Sequence, residues 1–286
     1  MTKEILSPDQ PYTEFIQKTE GLTEPTRIPV TITIPNPAVS PARMYQGLRR
    51  EKGFLLESME GVPRRAVRSI IGTGIERLIT IDDNEDQSID PIGEIRRIMA
   101  DERTSERTPA GFAGGLVGYS SYDMVTHLNS GHLKAGKEDQ CPIARFMFVD
   151  NGVVMDHQAG TCTVFVTPRV CPEDDKELVY TIAAQQVVTL ASEVLQIRDE
   201  PMPKNEEKIP VASLAVSSSM TKETFETAVK QTLEHIRAGD IFQAVISRRF
   251  ETPYTGDPFR IYTEVRELNP SPYLYFMEFG DECYCN

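Results

Sequence analysis

Strand-like and helix-like segments arrive along this chain in mixed order, without the strict strand-helix alternation that a parallel sheet needs, and that order points to an α+β fold. Residues 1 to about 25 are polar and punctuated by proline; Arg27-Ile28-Pro29-Val30-Thr31-Ile32-Thr33-Ile34 then alternates as a half-buried strand does. Pro35, Pro37 and Pro41 end it, and Ser40-Pro41 can cap a short helix carrying Met44, Tyr45 and Leu48. Gly53-Phe54-Leu55-Leu56-Glu57-Ser58 reads as a buried strand that turns polar at its end, followed by strand candidates at Ile70-Ile71-Gly72 and Leu78 to Ile81. Asp90-Pro91 opens a helix through Ile92, Ile95, Ile98 and Met99.

The glycine-dense run from Gly111 to Tyr119 lacks both the G-x-G-x-x-G spacing and the lysine of a phosphate loop, so close backbone packing is its expected role. Arg145 to Val149 and Thr161 to Val166 are strands, and Asp150-Asn151-Gly152 between them carries a hairpin signal. A long helix after Pro172 is expected to bury Leu178, Ile182, Leu190, Val194 and Ile197. The charged, proline-bearing stretch 199–219 reads as a linker, which divides the chain into 1–198 and 220–286. After it, Thr221 caps a helix with an apolar face of Phe225, Ala228, Val229, Leu233 and Ile236, ended by Gly239. Asp240 to Ser247 is expected as a strand, and Asp257-Pro258 starts a helix with Ile261, Val265 and Leu268 inward.

Composition excludes more than it assigns. With 43 acidic against 30 basic side chains in 286 residues, the net charge of -13 works against nucleic acid or an anionic membrane as partner. No apolar run approaches the roughly 18 residues that span a bilayer, and five cysteines are too few and oddly numbered for a disulfide framework, so a reduced, cytoplasmic protein is expected. The terminal Cys283-Tyr284-Cys285 pair has no nearby histidine to complete a metal site. The acidic runs Asp82 to Asp86 and Glu173 to Asp175 lack a calcium-loop pattern, and His127, His132, His157 and His235 stand in no recognisable catalytic setting. From the residues alone, neither a catalytic nor a metal site is assigned.

Two segments are suited to a small amphiphilic ligand. Glu57-Ser58 sets a carboxylate and a hydroxyl at the end of an apolar strand, and Asn269-Pro270-Ser271-Pro272-Tyr273-Leu274-Tyr275 sets rigid prolines before an aromatic one. These segments, with Gly114-Gly115-Leu116-Val117-Gly118-Tyr119, Ser121-Tyr122-Asp123, Ile236-Arg237-Ala238-Gly239-Asp240-Ile241-Phe242-Gln243 and Ser247-Arg248-Arg249-Phe250, stand in an order that closely resembles anthranilate synthase component I, over residues 27 to 280.

The resemblance implies orthogonal antiparallel sheets flanked by helices, with 220–286 as the start of a chorismate-binding domain. It implies a lyase that converts chorismate, with ammonia from a glutamine amidotransferase subunit, into anthranilate and pyruvate for tryptophan synthesis. It further implies L-tryptophan as feedback inhibitor, with Ser58 on its polar end, Glu57 beside it, and Pro272, Tyr273 and Leu274 as the other wall. Leu274 replaces the family's usual methionine, and Arg68 supplies a possible cation. The glutamates that bind Mg2+ and the catalytic histidine of the complete subunit belong to motifs this sequence does not contain. The chain alone is therefore expected to be inactive, prone to aggregate through unpaired strand edges, and a weak binder of tryptophan. Aminodeoxychorismate synthase component I, which shares some of these blocks, and a non-catalytic tryptophan-binding or subunit-interaction module are the alternatives.

Overall fold

The computed structural model describes residues 6–60, 65–82, 90–105, 108, 110–122, 124–128, 142–200, 215–269 and 271–286. Asp83 to Asp86, Asp123, His132, Cys141, most of the expected linker and Pro270 lie outside them. The chain forms two compact units, Met1–Pro201 with Pro258–Asn286, and Met202–Asp257. The region after the expected linker thus contributes to both.

The first unit is built on an antiparallel sheet of seven strands. In spatial order these are β14 (Cys283–Cys285), β13 (Tyr273–Glu278), β3 (Gly53–Glu60), β4 (Arg65–Thr73), β8 (Asn151–Asp156), β9 (Thr161–Val166) and β2 (Val30–Pro35). A second antiparallel sheet contains β5 (Leu78–Ile81), β7 (Ala144–Val149) and β6 (Gly115–Ser120), and β1 (Thr26–Arg27) pairs with β10 (Arg169–Val170). Residues opposite one another in an antiparallel ladder share a face, so each strand of the large sheet offers one set of side chains to either side. On one side Phe54, Val154, Phe165 and Met277 meet Val117, Met147 and Val149 of the small sheet in a single core. On the other, the rings of Tyr45, Phe259, Tyr262 and Phe276 pack at centroid separations of 5.0 to 5.9 Å. The result is the expected α+β arrangement of antiparallel sheets covered by helices.

Tyr45 comes from α2 (Pro41–Leu48), Phe259 and Tyr262 from α7 (Pro258–Leu268), and Phe276 from β13 itself. Ser40 caps α2 by accepting the Arg43 N–H at 3.3 Å, and Asp90 caps α3 (Pro91–Asp101) by accepting the Gly93 N–H at 2.9 Å. Two short helices, α1 (Tyr12–Thr19) and α4 (Met124–Leu128), complete the small elements. The glycine run does serve close packing: a Cβ on Gly118 would collide with the Arg145 carbonyl, and Gly114 and Gly115 hold φ of 124° and 120°.

Five expectations are corrected. Asp150-Asn151-Gly152 makes no hairpin, because β7 and β8 belong to different sheets and the chain crosses between them at Asp150. Gly152 is there because a side chain would strike the Ile71 carbonyl. Helix α5 (Lys176–Gln196) buries the smaller stripe Ala183, Val187, Ala191 and Val194, which lets it lie close on the sheet, while Leu178 and Ile182 are half exposed. By length and composition α5, with mean hydropathy of 1.3, is long and apolar enough to cross a membrane, and 22% of that apolar stretch is buried. In α7 the buried residues are Phe259 and Tyr262 rather than Ile261 and Leu268. Within the second unit, α6 (Lys222–Ala238) is capped as expected by Thr221 and ended by Gly239 at φ 83°, yet none of its residues is buried there. Residues 240–247 of that unit form no strand; among its described residues the one ladder joins β11 (Ser217–Ser218) to β12 (Phe250–Glu251).

The helix α7 turns Tyr262 inward because of Glu57. The Glu57 carboxylate, with a fully buried side chain, accepts the Tyr262 hydroxyl and is held by Arg266 through two bonds of 2.9 and 3.1 Å. Burial, then the Glu57 charge, pushes the Tyr262 phenol up, so that it stays a donor. Removing one partner of such a cluster leaves the others buried and unsatisfied. Glu57→Ala is expected to cost about 3–5 kcal/mol of folding stability, read as a lowered urea midpoint, with Glu57→Gln falling between it and the unaltered chain.

A second carboxylate ties α3 to the small sheet. Glu102 takes Arg27 at 2.6 Å and Arg77 at 2.5 Å, and both guanidinium groups lie over the Phe148 ring, at 4.5 and 5.0 Å from its centroid. Burial alone would raise this carboxyl, but hydrogen bonds from Arg27 and Arg77 outweigh it and hold it below the ordinary carboxylate range. A carboxylate depressed in the folded state stabilises above its unfolded pKa, and loses that contribution as pH falls through the folded value. The stability gap between the unaltered chain and Glu102→Gln is therefore expected to be full at pH 7 and to close under acid; a gap independent of pH between 7 and 3 would contradict this.

Candidate functional site

The pairing of β3 with β13 brings together the two segments that sequence reading picked out. Ser58 lies opposite Tyr273, Glu57 opposite Leu274 and Leu56 opposite Tyr275. On its other side β3 pairs with β4, so Ser58 faces Arg68 and Leu56 faces Ile70. The period of two then sorts these residues. Leu56, Ser58, Arg68, Ile70, Tyr273 and Tyr275 share one face and line a cavity of about 400 Å³. That lies within the roughly 300–1,000 Å³ usual for small-molecule sites.

Glu57 and Leu274 point the other way. Leu274 is 1% exposed and packs on the helical side, and Glu57 is the buried carboxylate held by Tyr262 and Arg266, so both border the cavity with main chain only. Pro272 does not line it either: its carbonyl accepts the Met59 N–H at 2.7 Å, which fixes the start of β13. Ser58, Tyr273 and Arg68 are thus the expected residues whose side chains stand on the cavity's face. Leu56, Ile70 and Tyr275 were missed, and the alternation around Ser58 and Tyr273 was the signal that could have found them.

The walls are apolar except for a few groups. The Ser58 hydroxyl donates to the Arg68 carbonyl at 3.3 Å and keeps its oxygen as an acceptor. Arg68 pairs with Asp156 of β8 at 3.0 Å, across a directly opposed cross-strand position. The other oxygen of Asp156 accepts the N–H groups of Gln158 and Ala159 at 3.1 and 2.8 Å. The Ala159 bond, then Arg68, holds this carboxyl below the usual range, so it is charged at neutral pH.

A larger groove of about 650 Å³ runs beside α5. Its cations are already engaged: Arg27 and Arg77 on Glu102, and Arg50 on Glu193 at 3.1 Å. His157, whose Nε2 lies 2.9 Å from the buried Ser69 hydroxyl, is lowered by burial, and Ser69 is closed to solvent, so this pair does not form an accessible nucleophile. His235 is solvent-exposed and paired with Asp240 at 2.9 Å. Among the described residues no group of three or more His, Cys, Asp or Glu stands together to hold a metal ion.

Relatives of known type share this architecture. The chain is 31% identical over 276 residues to anthranilate synthase component 1 of Acetivibrio thermocellus, covering 88% of this chain and 54% of the relative. Against anthranilate synthase component 1 of Bacillus subtilis (strain 168) it is 28% identical over 280 residues, covering 89% and 53%. The crystal structure of anthranilate synthase component I from Streptococcus pneumoniae TIGR4 superposes with a TM-score of 0.53 at 26% identity, over 78% of this chain and 50% of that one. The chain spans about half the length of the curated relatives it matches. The family described as chorismate binding enzyme matches residues 51–285. With most of its length inside that match and with anthranilate synthase component I as the relatives it resembles, the chain belongs to the chorismate binding enzyme family.

Proposed function

We propose that this chain is the tryptophan-sensing half of an anthranilate synthase large subunit. In the complete subunit, chorismate and ammonia delivered by a glutamine amidotransferase partner become anthranilate and pyruvate, and tryptophan bound between β3 and β13 restrains that reaction. The observation that carries the reading is the Ser58–Tyr273 pairing at a cavity of about 400 Å³ whose largely apolar lining includes the Ser58 hydroxyl and the Arg68 guanidinium. An indole suits the apolar lining, and an amino acid's polar end suits those two groups. All of these residues belong to one compact unit. As a biosynthetic subunit, it is assigned to the cytoplasm.

The resemblance implies Mg2+ for the complete subunit, but the described residues offer no cluster to hold it, and nothing in this reading is routed through the ion. The 286 residues alone are proposed to be inactive. Incubation with chorismate, Mg2+ and ammonia is expected to give no anthranilate fluorescence, and product formation would overturn that clause.

The sensor itself is open to a direct measurement. The chain contains no tryptophan, so the ligand is the sole indole in a titration. Weak but saturable binding is expected by calorimetry or indole fluorescence. Ser58→Phe, which sets a ring into the cavity, is expected to weaken it by about tenfold or more, equivalent to roughly 1.4 kcal/mol. A folded chain that ignores tryptophan, or a Ser58→Phe chain that binds it equally, contradicts the assignment.

A further inference from the structure

We propose that the groove beside α5 is a second ligand site, separate from the cavity between β3 and β13, and that it takes a neutral polyhydroxylated small molecule, a mono- or disaccharide. The two sites share no lining residue. At about 650 Å³ the groove falls within the roughly 300–1,000 Å³ usual for small-molecule sites. All of its lining belongs to one compact unit.

The cations of the groove are matched in place. Arg27 and Arg77 share Glu102 at 2.6 and 2.5 Å, Arg27 Nη1 also stands 3.7 Å from Asp150, and Arg50 holds Glu193 at 3.1 Å. Three guanidinium groups therefore meet three carboxylates before any ligand arrives. An anion finds no uncompensated cation there and brings its charge up against Asp150 and Glu193. Glu76 has no ion pair among the described residues, but it is solvent-exposed, where a single carboxylate attracts a cation only weakly. The groove thus offers hydrogen bonding with little net charge to draw an ion.

Much of that hydrogen-bonding capacity is unspent. Among the described residues the side-chain amides of Gln185 and Gln186 on α5 make no hydrogen bond. Asn151 Nδ2 donates to Asp150 at 3.1 Å and leaves its carbonyl oxygen open. Arg77 commits Nη1 to Glu102 and keeps Nε and Nη2. An amide sets a donor beside an acceptor, and two neighbouring hydroxyls do the same, so one amide can take both hydroxyls of a diol. Phe148, Val166, Pro168 and Leu190 add apolar lining for the C–H faces of a sugar ring. A purely apolar ligand would take these amides and guanidinium groups away from water without answering them, whereas a polyol answers them and leaves every ion pair intact.

The test is saturation-transfer difference NMR on the 286-residue chain with glucose, maltose and trehalose, and with sulfate and citrate as anionic competitors. Weak but saturable transfer to at least one of the sugars is expected, undiminished by either anion at matched ionic strength. The double variant Gln185→Ala with Gln186→Ala places a strong helix former on an exposed helix surface, so α5 is expected to stay folded. Its affinity for the sugar is expected to fall by about tenfold, as the loss of two hydrogen bonds warrants. The two single variants repeat the measurement should the double variant fold poorly. Three results overturn the proposal: no saturable transfer to any of the sugars, displacement of the sugar by sulfate or citrate, or equal binding by the folded glutamine variants. None of them bears on the tryptophan reading, which rests on other residues.

Discussion

The ladder between β3 and β13 is the constraint on which the site depends. It joins strands whose paired residues are more than two hundred positions apart, and the Glu57 carboxylate fastens the arrangement from below by gripping Tyr262, 205 residues further along the chain, and Arg266. Closing so long a loop costs chain entropy before any contact returns it. What offsets that cost is layered: six consecutive cross-strand positions from Gly53–Glu278 to Ser58–Tyr273, the ring cluster of Tyr45, Phe259, Tyr262 and Phe276, and a fully buried carboxylate whose hydrogen bonds satisfy it. Because a buried charge is tolerated only where its partners are in place, Glu57 makes the docking of α7 sharply dependent on register. A slip of one residue between β3 and β13 would exchange the two faces, sending Glu57 into the cavity and Ser58 under the helices.

That dependence explains why adjacent residues of one motif have opposite duties. Leu-Leu-Glu-Ser is a single block in sequence but straddles the sheet: Leu56 and Ser58 face the cavity, while Leu55 and Glu57 face the helices. The cavity and α7 therefore share a floor one backbone thick. Anything that presses Ser58 and Tyr273 apart strains the ladder that positions Pro272 and, through Glu57, the helix α7.

Much of this was legible from residues. Strand ends, the helix caps at Ser40, Asp90 and Thr221, the stop at Gly239 and the close packing at Gly118 follow from local chemistry that needs no partner. The misreadings share one cause, which is that they turned on non-local contacts. The inward face of α7 is set by a carboxylate two hundred residues away, so choosing Ile261 and Leu268 by apolar character alone could not find Tyr262 and Arg266. In α5 the small stripe wins because the sheet leaves room for a close approach and none for Leu178 and Ile182. At Asp150-Asn151-Gly152 the local signal promised a hairpin, yet the glycine is needed for the nearby Ile71 carbonyl, and the strands on either side join different sheets. The cavity followed the same rule: both walls were found by their residues, but which side chains enter it was decided by register.

Leu274 shows what register does to a family comparison. Read along the sequence, leucine in place of the usual methionine falls inside the expected ligand wall and suggests an altered fit for the bound amino acid. In the folded chain Leu274 is 1% exposed, stands opposite Glu57, and lies on the side of the sheet covered by α7. The exchange therefore acts on packing beneath the helix, where leucine and methionine are near in volume and a swap is cheap. Its route to the cavity is mechanical, through the main chain it shares with Tyr273, and not through contact with a ligand. The shape of the open face is set instead by Leu56, Ile70, Tyr273 and Tyr275.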